Sequence, residues 1–92
     1  MKVQIKRIDK TLDLPQYQTN GSVGFDFILR EDATIAPKEL KKLPSNVIIA
    51  TPPGYALLVA SRSSTPFKKG VMLPNGIGIV DQDFCGPEDE LQ

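Results

Sequence analysis

The chain contains no histidine and one cysteine, Cys85. Without histidine there is no Ser-His-Asp triad, no Cys-His pair and no histidine-ligated zinc within these residues. A lone cysteine cannot close an intramolecular disulfide, so nothing points to an oxidising compartment. Charge of one sign is also missing, because 11 basic residues balance 11 acidic ones. Nucleic-acid coat proteins and basic membrane-surface modules carry a clear positive excess. Neither a nucleic acid nor a membrane is therefore expected as partner. No apolar run approaches the roughly 20 residues that span a bilayer, and Met1 to Lys6 lacks the apolar core of a signal peptide. Neither a GxxxxGK[ST] phosphate loop nor a GxGxxG fingerprint occurs. The expectation is a cytoplasmic, reduced, soluble domain.

What is present is short apolar segments broken by turns. The 92 residues form one small domain, 1–92, whose stability is marginal unless it assembles with other copies. Val3 and Ile5 alternate with polar neighbours, as in a half-buried strand. Ser22 to Leu29 reads as a strand with Val23, Phe25 and Phe27 on one face and Asp26 on the other. Ala33 to Ala36 is a further short candidate. Asn46 to Ala50 is apolar and ends at Thr51-Pro52-Pro53-Gly54, a turn sequence. Tyr55 to Ala60 is apolar on both faces, which predicts a central strand covered on both sides. Val71 to Leu73 and Gly76 to Val80 complete the set. Only Pro37 to Leu43 suggests a helix. Eight prolines and seven glycines at this spacing favour an all-β sandwich or barrel. Gly86 to Gln92 reads as a turn followed by the opening residues of another strand, whose partner would come from another subunit or from further chain.

Four groups of residues can carry chemistry. Arg62-Ser63-Ser64 follows an apolar strand and offers a planar fork of donors and two hydroxyls, a set suited to phosphate oxygens. The same tripeptide is also an ordinary polar turn. Asp81 and Asp83 share a face if the chain is extended. A carboxylate there can orient or deprotonate a water, or hold a divalent ion, and both are equally turn-forming aspartates before Gly86-Pro87. Asp26 is a common kind of polar residue for a strand face. Asn75 carries a donor and an acceptor, as reading a pyrimidine edge requires, but also sits between Pro74 and Gly76 where a turn is expected.

Three ordered blocks decide among these readings. Gly21-Ser22-Val23-Gly24-Phe25-Asp26-Phe27 is the first. Pro53-Gly54-Tyr55 through Ala60-Ser61-Arg62-Ser63-Ser64, then Lys68-Lys69-Gly70-Val71, is the second. Asn75-Gly76-Ile77-Gly78-Ile79-Val80-Asp81-Gln82-Asp83-Phe84 with Gly86 is the third. Together they resemble the trimeric dUTP diphosphatase (dUTPase) family over nearly the whole chain. The resemblance implies a jelly-roll-like β-barrel, a homotrimer with sites between subunits, and Mg²⁺-dependent hydrolysis of dUTP to dUMP and pyrophosphate. It implies that Arg62, Ser63 and Ser64 bind the triphosphate, and that Asn75 contacts uracil with backbone groups of Ile79 and Val80. Asp81 would position the nucleophilic water and touch the sugar hydroxyl, and Asp26 would act near Mg²⁺ through water. Phe84 stands where the family usually has Tyr, keeping the bulk that excludes a ribose 2′-hydroxyl. Ser64 stands where Gly is common.

The family's fourth motif and its Gly-rich arm have no counterpart in residues 1–92. The expectation is therefore a C-terminally truncated member, its barrel incomplete and its turnover alone small. Two other functions compete. A dCTP deaminase-like enzyme shares a similar Arg-Ser-Ser run, but Asp81-Gln82-Asp83-Phe84 fits the diphosphatase better. A non-catalytic nucleotide-binding or assembly module is the second.

Overall fold

The computed structural model describes all 92 residues. Its regular structure is four short strands and one helix of five residues. β1 (Gln4–Arg7) pairs antiparallel with β2 (Val47–Ala50), with Ile5 opposite Ile49. β3 (Leu57–Ala60) pairs antiparallel with β4 (Ile77–Val80), with Leu57 opposite Val80 and Ala60 opposite Ile77. These are two separate two-stranded sheets and no closed barrel. The fold is all-β in character, as expected. α1 (Thr65–Lys69) joins β3 to β4.

The core is small. Val47, Ile49 and Leu91 are buried, and Ile5, Phe25, Phe27, Leu57 and Val80 pack against them. This group draws on both sheets, so it is the core that relates the strand pairs to each other. Leu91 reaches it because the last residues bond to β2. The Leu91 N–H donates to the Val47 carbonyl at 3.0 Å, and the Leu91 carbonyl accepts from the Ser45 N–H at 3.0 Å. The strand expected to open near the C-terminus does not form, and these two bonds tie the last residues to the β2 segment of the same chain instead.

Asn46 organises the approach to β2. It is buried, and its φ of 71° lies in the left-handed region that Asn tolerates better than most residues. Its side chain donates to the Asp9 carbonyl at 3.0 Å and accepts from the Asp9 N–H at 2.6 Å. Its own N–H donates to Glu90 Oε2 at 2.8 Å. Glu90 in turn takes Arg30 on both carboxylate oxygens, at 2.9 and 3.0 Å. Segments around residues 9, 30, 46 and 90 are thereby tied into one polar cluster beside the core.

Several expectations are corrected. Residues 22–29 form no strand, and Val23 is fully exposed while Phe25 and Phe27 pack inward. The apolar pattern there reports burial of two rings and no ladder. Residues 33–36 and 71–73 also lack a ladder. Residues 37–43 are not helical: Lys38 has φ 65°, which breaks a right-handed helix at its start. β3 is not covered on both sides, since Leu58 is exposed. The helix lies instead at 65–69, where Pro66 sits in the first turn and Gly70, at φ 66°, closes the end. Five residues are too few for a helical apolar period to show in the sequence.

Candidate functional site

The β3–β4 pair sets out most of the singled-out residues. Its inward face carries Leu57, Val59, Gly78 and Val80, and its outward face Leu58, Ala60, Ile77 and Ile79. The inward face is fitted closely, because a Cβ added at Gly78 would lie 3.3 Å from the Val59 Cβ. The outward face is apolar and uncovered. β4 has a strand on one edge only, so its other edge leaves backbone donors and acceptors free. Consecutive strand residues turn their backbone groups to opposite edges, so of Ile79 and Val80 only one presents its groups at the open edge.

Register separates the polar residues. Ala60 faces Ile77, so Arg62 and Asn75, each two residues outside that pair, lie at one end of the ladder. Asp81 follows Val80, which faces Leu57, at the other end. The three steps between these pairs span about 10 Å at ordinary strand rise. One ladder end therefore presents a cation, hydroxyls and an amide, and the other a carboxylate and an aromatic ring.

At the first end, Arg62 and Ser63 are exposed and Ser64 is half-buried. Ser64 is the residue preceding α1, yet its hydroxyl makes no capping bond; its carbonyl accepts from the Lys68 N–H at 2.8 Å. The serine hydroxyls are thus not consumed by helix capping. Arg62 is bound to Asp26: Nε donates to Oδ1 at 2.8 Å, and Nη2 donates to Oδ2. The guanidinium holds the Asp26 carboxyl below the usual carboxylate range, and the carboxylate in turn raises Arg62. Sequence reasoning singled out both residues but not their pairing. They are 36 positions apart, and no local spacing signals such a contact. Asn75 lies in a tight turn, with the Gly76 N–H on the Leu73 carbonyl at 3.0 Å and the Ile77 N–H on the Asn75 carbonyl at 2.8 Å.

At the second end, the chain turns directly after β4. The Phe84 N–H donates to the Asp81 carbonyl at 3.1 Å, so Asp81 and Asp83 do not share the face of an extended strand. Asp81 and Phe84 are exposed at this turn. Gln82, which sequence reasoning passed over, fastens it: its Oε1 accepts from the Gly54 N–H at 3.1 Å. Gly54 belongs to the turn leading into β3 and has φ 85°, a conformation that glycine takes at little steric cost. Its signal in the sequence was the Pro-Gly turn itself, but not the partner of its N–H.

Nowhere do three or more His, Cys, Asp or Glu side chains converge as a metal cage. Mg²⁺ needs no such cage: it commonly keeps several waters and is held by one or two carboxylates together with substrate phosphates. Asp26 is a single carboxylate of that kind, and both of its oxygens accept from Arg62.

The family model described as dUTPase matches residues 10–89. The deoxyuridine 5′-triphosphate nucleotidohydrolase of Ralstonia pickettii is 40% identical over 91 residues, covering 94% of this chain and 62% of that protein. The enzyme of the same name from Shewanella oneidensis is 39% identical over 90 residues, covering 95% and 59%. That of Thermobifida fusca is 35% identical over 86 residues, covering 94% and 48%. The chain thus spans about half to three-fifths of the length of these curated relatives. With residues 10–89 matched and all three blocks inside that span, the chain belongs to the dUTPase family.

Proposed function

We propose that this chain carries part of the active site of a dUTP diphosphatase, which hydrolyses dUTP to dUMP and pyrophosphate in nucleotide metabolism. Family membership supports the reaction class, and its relatives bear the corresponding name. The observation that carries the assignment of roles is the division of polar groups between the two ends of the β3–β4 ladder.

In this reading Arg62, Ser63 and Ser64 grip the triphosphate. The fork of Arg62 and the free hydroxyls match phosphate oxygens in number and charge. Asn75 and the open backbone edge of β4, to which one of Ile79 and Val80 presents its groups, read the uracil edge. Asp81 accepts a hydrogen bond from the attacking water and takes up its proton as the α–β anhydride breaks. The water oxygen ends on dUMP and the bridging oxygen leaves with pyrophosphate. Phe84, at the turn beside Asp81, supplies bulk against a 2′-hydroxyl. Mg²⁺, when bound by the substrate phosphates, would offset their charge, and Asp26 would meet it through water on the oxygen lone pairs that Arg62 leaves free. The chain's own contribution is positioning and charge compensation, which phosphoryl transfer chiefly needs.

The ladder also supports assembly. A site built from both of its ends is most simply completed when one copy supplies the Arg62 end and another supplies the Asp81 end. The uncovered apolar face of Leu58, Ile77 and Ile79 is surface that a second copy can bury. A homotrimer with sites between subunits satisfies both, and its nucleotide substrate suits a cytoplasmic location.

The test is release of pyrophosphate from dUTP, and of ammonia from dCTP, with Mg²⁺, using a chain extended to the length of the relatives. Pyrophosphate from dUTP is expected. Ammonia from dCTP would establish the deaminase reading in its place.

A further inference from the structure

The Asp26–Arg62 contact uses one particular edge of the guanidinium. Arg has five N–H donors. The carboxylate takes Nε–H and one hydrogen of Nη2, which form the side edge of the fork. Nη1 and the second Nη2 hydrogen form the end edge, itself able to bind an anion through two parallel bonds. The Arg62 side chain is 61% exposed against 37% for Asp26, so the aspartate is the more anchored partner. Its anchorage is visible in the chain. Phe25 and Phe27 flank Asp26, both pack against the core, and their rings meet edge-on with centroids 6.2 Å apart. Residue 26 is held from both sides by half-buried neighbours that pack on the core, whereas Arg62 follows an exposed strand end.

We propose that Asp26 is a positioning residue for phosphate binding: it grips Arg62 by the side edge, leaves the end edge presented to a polyphosphate, and stays paired when the anion is bound. The proposal rests on the triphosphate reading of Arg62 and gives Asp26 a role that needs no metal. The contrasting arrangement is a counter-ion that the polyphosphate displaces. That exchange would leave a carboxylate without its cation next to an incoming polyanion, whereas end-edge binding keeps the cation between the two anions.

Nitrogen-15 NMR of the arginine side chains, with inorganic tripolyphosphate as probe and no divalent ion, distinguishes these arrangements. The Arg62 Nε–H signal is assigned by its loss in Arg62→Gln. It is expected to lie away from the position of free arginine at the outset and to stay there at saturation, while the Arg62 Nη signals and the Ser63 and Ser64 amides shift. If the Nε–H signal moves to the free-arginine position as tripolyphosphate binds, the carboxylate is displaced and the positioning role is wrong while the phosphate site stands. If none of Arg62, Ser63 and Ser64 responds, the phosphate reading falls and the proposal with it. Asp26→Asn provides a second readout. In about 0.5 M NaCl, where screening acts over roughly 4 Å, it is expected to weaken tripolyphosphate binding about two- to tenfold, the cost of ordering one long side chain. It should have no effect in an Arg62→Gln background. Unchanged or tighter binding at this salt concentration would overturn the proposal.

Discussion

Replacing Asn46 should test how far one buried amide holds the fold together. Asn46→Ala removes two hydrogen bonds to the Asp9 backbone, at 2.6 and 3.0 Å. Each contributes about 1 kcal/mol net, so about 2 kcal/mol is lost there. Alanine must also take up φ 71°, which adds about 1 kcal/mol that Asn largely avoids. The sum is about 3 kcal/mol. A 92-residue domain has roughly 5–14 kcal/mol of stability, and only seven of its residues are buried, which places it toward the lower end. Thermal unfolding followed by circular dichroism should show Tm falling by about 12–24 °C, at 4–8 °C per kcal/mol for this size. Asn46→Gly separates the two causes. It loses the same bonds but tolerates the backbone angle, and should be about 0.5–1 kcal/mol less damaging than Ala. An Asn46→Ala protein within about 0.5 kcal/mol of the parent, the range of plain surface changes, would refute the clamp. A glycine variant less stable than the alanine one would refute the backbone part.

Other outcomes follow from neighbouring contacts. Arg30 and the Asn46 N–H hold the Glu90 carboxyl below its ordinary value of 4.5; the stabilisation is therefore full above the unfolded value and disappears as pH falls through the folded one. Glu90→Gln should lower the urea midpoint near neutral pH and converge with the parent in acid, as denaturation curves across that range will show. Gly78→Val should cost about 1–3 kcal/mol by overpacking, because Val59 already lies 3.3 Å from the place of the first added carbon; chemical denaturation measures it. If the proposed reaction holds, Asp81→Asn in a chain extended to the length of the relatives should lower kcat by about 10²–10⁴, the usual range for a general base, with little change in nucleotide affinity, and an unchanged kcat removes Asp81 from its role. Leu58→Asp, on the uncovered face, should leave subunit stability within about 0.5 kcal/mol and abolish the proposed assembly in sedimentation equilibrium, whereas an unchanged assembled mass would free that face from the interface.

By itself the sequence determined the features that depend on short spacing. Alternation at Val3 and Ile5, the apolar run ending at Ala50, and the segments before Arg62 and Asp81 mark β1 to β4, because a strand's period of two shows within four residues. The three polar blocks were equally legible, since each is contiguous. The absence of histidine settled which chemistries the chain cannot perform alone. Tertiary structure decided what depends on residues far apart. Phe25 and Phe27 look like strand residues, but they pack against a core shared by both sheets, and Asp26 between them meets Arg62. Asn46 looks like a strand-opening residue, but its burial, left-handed backbone and bonds to Asp9 and Glu90 arise only when four segments meet. The separation of Arg62 from Asp81 along one ladder is likewise a matter of register. Pairing energies of this kind depend on three-dimensional proximity across tens of residues, and local propensity carries no record of them.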